Sequence, residues 1–70
     1  MNFMYVESSN LVAIGYDAST STLGVEFKSG GTWHYYNVPE YIWSNFQYAP
    51  SKGKYFHQNI RGQYTEQRVN

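Results

Sequence analysis

Leu23, Val25 and Phe27 alternate with Gly24 and Glu26. This period of two fits an antiparallel strand with one buried face and little else. An apolar run, Leu11 to Tyr16, precedes it across the turn-forming Asp17-Ala18-Ser19-Thr20-Ser21. Pairing Asp17 with Thr22 sets Tyr16 opposite Leu23, Ile14 opposite Val25 and Val12 opposite Phe27. All six apolar side chains then share one face, so this is the register the pattern predicts.

Ser29-Gly30-Gly31 marks a second hairpin turn, and Thr32 to Val38 follows as a third strand rich in β-formers. Its register depends on loop length. A loop of two or four residues turns His34, Tyr36 and Val38 to the core, whereas three or five turns Trp33 and Tyr35 there. Composition favours burying Trp33 over His34. Whichever aromatic set is not core is free to meet a partner.

From Pro39 the period changes. Proline is tolerated in a first helical turn, and Pro39, Ile42, Phe46 and Ala49 form one stripe flanked by Trp43. Tyr41 and Tyr48 project from the opposite side or reach the next helix. Ala49-Pro50 ends this helix, because the residue before proline avoids the helical region. A second helix is expected from about Lys52 to Arg61, with Phe56 and Ile60 inward and Gly62 as its C-cap. The tail from Gln63 either adds a short edge strand around Tyr64 or frays. The fold expected is α+β: a three-stranded antiparallel meander, to which that tail can add a short fourth edge strand, packed against two C-terminal helices in a single domain spanning 1–70.

A chain of this length can barely bury a sufficient core, and it has no cysteine to add disulfides or thiolate zinc sites. Aromatic side chains must supply the packing. Eight Tyr, four Phe and two Trp exceed what a small core can enclose, so some lie where interfaces or stacked bases use them. The net charge is zero, but it is divided. Lys28 faces Glu7, Asp17, Glu26 and Glu40 in the first fifty residues, while Lys52, Lys54, Arg61 and Arg68 face only Glu66 in the last twenty. Such a molecule attracts a long polyanion weakly but can hold a local anion. No apolar run reaches a membrane span and no charged-then-apolar leader is evident, so a soluble, cytoplasmic protein is expected.

The start of the second helix combines a serine cap, a glycine and two lysines: Ser51, Lys52, Gly53 and Lys54. Free N–H groups and the positive end of the helix dipole make this a candidate phosphate site. The plainer reading is a Ser-capped helix with solvated lysines. Lys54, His57 and Arg61 share one narrow face, a small basic stripe or simply a solvated one. Catalytic chemistry has no anchor. His34 and His57 lie in different elements, and pairing either with Ser8 or Ser9 is a coincidence any small protein offers. No spacing suggests a metal or cofactor site.

The ordered landmarks are Val6-x-Ser8-Ser9, Ala13-Ile14-Gly15-Tyr16-Asp17, Leu23-x-Val25-x-Phe27 with Ser29-Gly30, an aromatic-x-Tyr pair, Asn37-Val38-Pro39, and Ala49-x-Ser51-x-Gly53-x-Tyr55-Phe56 leading to Ile60-Arg61. Together they resemble the KTSC domain, a small bacterial and phage module named for its occurrence at the C-terminus of some lysyl-tRNA synthetases. The resemblance covers about residues 6–64. Where the family usually carries Tyr-x-Tyr in the central strand, Trp33 replaces the first tyrosine and Tyr35 matches the second. Attachment to a synthetase implies RNA binding; resemblance to free-standing members implies a phage or prophage accessory protein.

The leading expectation is a non-enzymatic module for RNA or a nucleotide. A base stacks on an exposed aromatic from Trp33, Tyr35 or Tyr36, and its phosphate lies near Ser51, Lys52, Gly53 and Lys54, with His57 and Arg61 alongside. The alternative is a protein-interaction module acting as a homo-oligomer, with Tyr41, Trp43 and Tyr48 in the interface.

Overall fold

In the computed structural model, which describes all of Met1–Asn70, the chain forms one antiparallel sheet and two helices. The strands are β1 (Phe3–Tyr5), β2 (Leu11–Asp17), β3 (Thr22–Phe27), β4 (Thr32–Tyr35) and β5 (Glu66–Arg68). Helices α1 (Glu40–Tyr48) and α2 (Lys52–Asn59) lie between β4 and β5. The sheet has five strands in sequence order, rather than three or four. Both additions are short edge strands, held by backbone pairing that needs no apolar alternation. Phe3 pairs with Gly15, and Tyr35 with Glu66. β5 carries Glu66, Gln67 and Arg68, charged and polar side chains of the kind that protect an exposed edge.

The β2–β3 register follows the apolar pattern over most of its length: Asp17 with Thr22, Tyr16 with Leu23, Ile14 with Val25. It departs at Val12. An irregularity between Leu11 and Ala13 places Leu11, not Val12, opposite Phe27. Leu11 is fully buried there and Val12 only half so. A bulge of this kind adds one residue to one strand and changes the facing of what precedes it.

The second hairpin resolves the open register. The Phe27 N–H donates to the Gly31 carbonyl, and Gly30 closes the turn at φ 106°. Lys28, Ser29 and Gly30 therefore form the loop, and Trp33 and Tyr35 stand opposite Val25 and Leu23 on the core face. His34 and Tyr36 occupy the other face.

The helices cover the core face. Leu11, Ile14, Leu23, Val25, Tyr35 and Val38 meet Ile42, Phe46, Phe56 and Ile60 in one cluster. Pro39 is the exposed N-cap of α1, and Val38 takes the buried place expected for it. Two tyrosine hydroxyls fix the start of α1: Tyr16 donates to the Val38 carbonyl at 2.6 Å and Tyr55 to the Ile42 carbonyl at 3.2 Å. Their rings stack on Trp43 and Phe46, with centroids at 5.7 and 5.4 Å. Tyrosine is thus used here as an apolar plate with a polar tip that finds a carbonyl. α2 stops at Asn59, with Ile60 as its C-cap and Gly62 at φ 76° in the turn beyond.

Phe46 is fully buried at the centre of the cluster. Phe46→Ala should cost about 3–5 kcal/mol, enough to abolish the folded baseline of so small a domain. A urea titration followed by circular dichroism checks this.

Candidate functional site

The turn Ser8-Ser9-Asn10 brings the sheet and α2 together. The Ser8 hydroxyl accepts from the N–H groups of Asn10 and Leu11, at 3.3 and 3.2 Å, and donates to Asn10 Oδ1 at 3.0 Å. The Asn10 carbonyl accepts from the Lys28 N–H at 2.9 Å, which ties this turn to the β3–β4 loop. Asn10 Oδ1 then lies against Gly53, so close that a Cβ at residue 53 would stand 2.5 Å from it. The glycine allows this approach, because a Cβ there would force the Asn10 side chain, and the hydrogen bond it accepts from Ser8, to shift.

Two concavities flank this junction and share Ser9, Asn10 and His57. The first is a polar cleft of about 320 Å³ at the start of α2, lined by Glu7, Ser8, Pro50, Ser51, Lys52, Gly53 and Lys54 as well. Ser51 is the N-cap; its hydroxyl accepts from the Lys54 N–H at 3.3 Å and its carbonyl from the Tyr55 N–H at 3.0 Å. The cap expected from the sequence is therefore present. Lys52 corrects the expected pair of lysines. Its Nζ donates to the Ala49 carbonyl at 2.8 Å, which binds it to the end of α1 and leaves Lys54 as the exposed cation of the cleft.

The second is an amphipathic groove of about 440 Å³ between β4, the β3–β4 loop and the C-terminal half of α2. Phe27, Trp33, Tyr35 and Phe56 supply its apolar wall, and Arg61, His57 and Glu66 its polar one. Phe56 anchors that wall through edge-to-face contacts with Phe27 and Tyr35, at 5.3 and 5.6 Å. Arg61 Nη1 lies 3.4 Å from His57 Nδ1. A guanidinium only donates, so Arg61 is the donor wherever this contact is a hydrogen bond.

Tyr35 differs from its expected role. Its ring is 3% exposed and packed on Phe56, so it offers no face for a stacking base. Its hydroxyl is another matter. It makes no hydrogen bond within the chain, yet no fully enclosed side-chain oxygen is left unpaired. The hydroxyl is therefore not fully enclosed, and Tyr35 is one of the residues that line the groove. Burial, reinforced by the Glu66 carboxylate and opposed by Arg61, pushes its pKa up to about 12, so it remains a proton donor. Tyr36 is also corrected. It lies on the opposite face of the sheet, where its hydroxyl donates to Gln67 Oε1 at 2.8 Å and its ring meets His34 edge to face.

Of the expected site residues, the structure gathers Trp33, Tyr35, His57 and Arg61 around the groove, and Ser51, Lys52, Gly53, Lys54 and His57 around the cleft. The sequence reading missed Asn10, Lys28 and Glu66. A Ser-Ser-Asn turn carries the composition of a tight turn, which signals Asn10; Glu66 stands in a polar tail and carries no signal. No three His, Asp or Glu side chains come together in an arrangement that could hold a metal ion.

Residues 7–64 match the KTSC domain. A lysine–tRNA ligase of Nostoc sp. is 43% identical over 58 residues, which cover 83% of this chain but 10% of the ligase. The chain thus spans about a tenth of the length of such curated relatives. An uncharacterized protein of Stutzerimonas stutzeri is 34% identical over 91% of this chain and 90% of its own length. The crystal structure of a KTSC domain protein from Yersinia pestis superposes with a TM-score of 0.96 at 35% identity, covering 99% of this chain and 97% of that one.

Two results are expected from the junction and the groove. Gly→Ala within a helix ordinarily stabilises by about 1 kcal/mol; Gly53→Ala should instead destabilise by about 1–2 kcal/mol through overpacking, and pairing it with Asn10→Ala should restore the ordinary sign in a double-mutant thermal melt. The stability that depends on neutral Tyr35 is complete below its usual pKa of 10.0 and is lost as pH rises through about 12. Tyr35→Phe should flatten that loss in denaturant titrations across this alkaline window.

Proposed function

The chain belongs to the KTSC domain family, and on that basis we propose that it is a non-enzymatic module that binds a single nucleotide or a short stretch of single-stranded RNA. The observation that carries this reading is the adjacency of an aromatic-walled groove and a polar helix-start cleft, joined through Ser9, Asn10 and His57. A base fits against Trp33, half-exposed on the groove wall, and its phosphate reaches the start of α2. There the N–H groups of Lys52 and Gly53 are without an internal partner and Lys54 is exposed. Helix-start N–H groups and a nearby lysine are a general phosphate-binding arrangement. The similarity to part of proteins named lysine–tRNA ligase supports an RNA context. With a net charge of zero, the module suits a short ligand, and few counterions are released on binding.

A second reading rests on α1. Tyr41 and Tyr48 are 65% and 82% exposed on the side away from the sheet, and exposed tyrosines are the preferred contacts of interfaces. In that reading the chain is an accessory protein, of phage or host, that acts as a homo-oligomer.

Amide chemical-shift titration with mononucleotides and short single-stranded RNA separates the two. The nucleotide reading predicts shifts at Ser9–Asn10, Trp33, Lys54, His57 and Arg61, with Trp33→Ala weakening binding by about 1–3 kcal/mol. It also predicts a shallow salt slope of about −0.7 per phosphate contacted. Absence of shifts at millimolar ligand, with oligomers that dissociate on Tyr41→Ala or Tyr48→Ala, would favour the interface instead.

A further inference from the structure

The groove is lined by a side chain whose polar atom is unused: Tyr35 is 97% buried as a residue, yet its hydroxyl makes no hydrogen bond within the chain and is not fully enclosed. Packing fixes the ring while the hydroxyl stays accessible, so it is a pre-positioned donor for a ligand atom in the groove. Its neighbours define that ligand further. Glu66 is the Cα partner of Tyr35 across the β4–β5 pair, and directly opposed residues share one face with their Cβ atoms about 5 Å apart. The groove therefore carries both a carboxylate, which only accepts, and a hydroxyl that has no acceptor within the chain. Trp33, two residues before Tyr35 on the same strand face, adds an aromatic surface at the groove's other end.

We propose that this groove reads the hydrogen-bonding edge of a guanine base, with Glu66 accepting from its N1–H and 2-amino group, Tyr35 Oη donating to O6, and Trp33 against the ring. The assignment rests on the nucleotide reading given above and specifies its base. Guanine is the nucleobase whose edge places two adjacent donors next to one acceptor. Adenine offers a lone pair at N1, which would face the Glu66 carboxylate and repel it. Cytosine has an acceptor at N3, with the same conflict. Uracil satisfies Tyr35 through O4 and gives Glu66 a single donor, but its O2 then opposes the second carboxylate oxygen. Specificity from a carboxylate that rejects misplaced lone pairs is a difference of affinities built partly on repulsion. Arg61, which flanks the groove with His57, lies along the path of the ribose, and His57 borders the adjoining cleft that takes the phosphate.

The test follows the Trp33 indole N–H signal during titration with GMP, AMP, CMP and UMP, and with two short single strands that differ by one guanine. The expected result is at least tenfold tighter binding of GMP than of AMP, the size of discrimination a good bidentate pair gives. Glu66→Gln should reduce GMP to the level of AMP, and because Glu66 is an exposed edge-strand residue the variant folds. Tyr35→Phe, which keeps the packed ring, should weaken GMP several-fold. A preference for the guanine-containing strand over GMP supports the assignment with RNA as the source; equal or tighter binding of GMP supports it with free nucleotide. Equal affinities for all four mononucleotides overturn the guanine assignment while the nucleotide site stands. No response to any nucleotide or strand at millimolar concentration overturns both.

Discussion

The contact between Asn10 and Gly53 is the constraint on which the arrangement of this molecule turns. A strand pair and a helix can be stacked at many offsets, and apolar packing alone distinguishes them weakly. Here the offset is set by a polar turn. Ser8 closes the turn through three hydrogen bonds, Asn10 presents its carbonyl to Lys28, and its amide oxygen rests 2.5 Å from where a Cβ of residue 53 would be. One residue thereby positions the start of β2, the β3–β4 loop and the start of α2. Both concavities take a wall from it, which is why cleft and groove adjoin.

The aromatic surplus is divided by the same geometry. Phe27, Tyr35, Phe46, Tyr55 and Phe56 are packed ring on ring, and Tyr16 and Tyr55 convert their hydroxyls into anchors for α1. Trp33 sits at the end of the core, half covered, where it can serve both packing and recognition. Tyr41 and Tyr48 contribute to neither and stay in solvent.

Much of this was legible in the sequence wherever one face of an element is buried. The alternation Leu23, Val25, Phe27 places Ile14 opposite Val25, and helical spacing identifies Ile42, Phe46, Phe56 and Ile60. Ser51 reads as a cap because its chemistry is local. What escaped is what side-chain pattern does not encode. The bulge at Val12 is a backbone event inside a continuous apolar run, where the run itself gives no phase. The edge strand β1 is held by main-chain pairing without apolar alternation, and the tail strand considered around Tyr64 forms instead at Glu66–Arg68. Tyr35 belongs to the buried aromatic set that a three-residue loop selects, but its ring packs while its hydroxyl does not. That distinction appears only once Phe56 is placed against it. The candidate site therefore combines residues recognisable by type, such as Lys54 and Arg61, with Asn10 and Glu66, which only their positions in the fold bring to it.

The central claim is that a ligand base occupies the groove between β4 and α2. Intermolecular nuclear Overhauser effects on a complex with a ribonucleotide test it most directly. The account predicts cross-peaks from the base proton to the Trp33 ring and from the ribose to His57 or Arg61. Cross-peaks to His34 and Tyr36 on the far side of the sheet, or to Tyr41 and Tyr48 on α1, would contradict it and move the functional surface elsewhere.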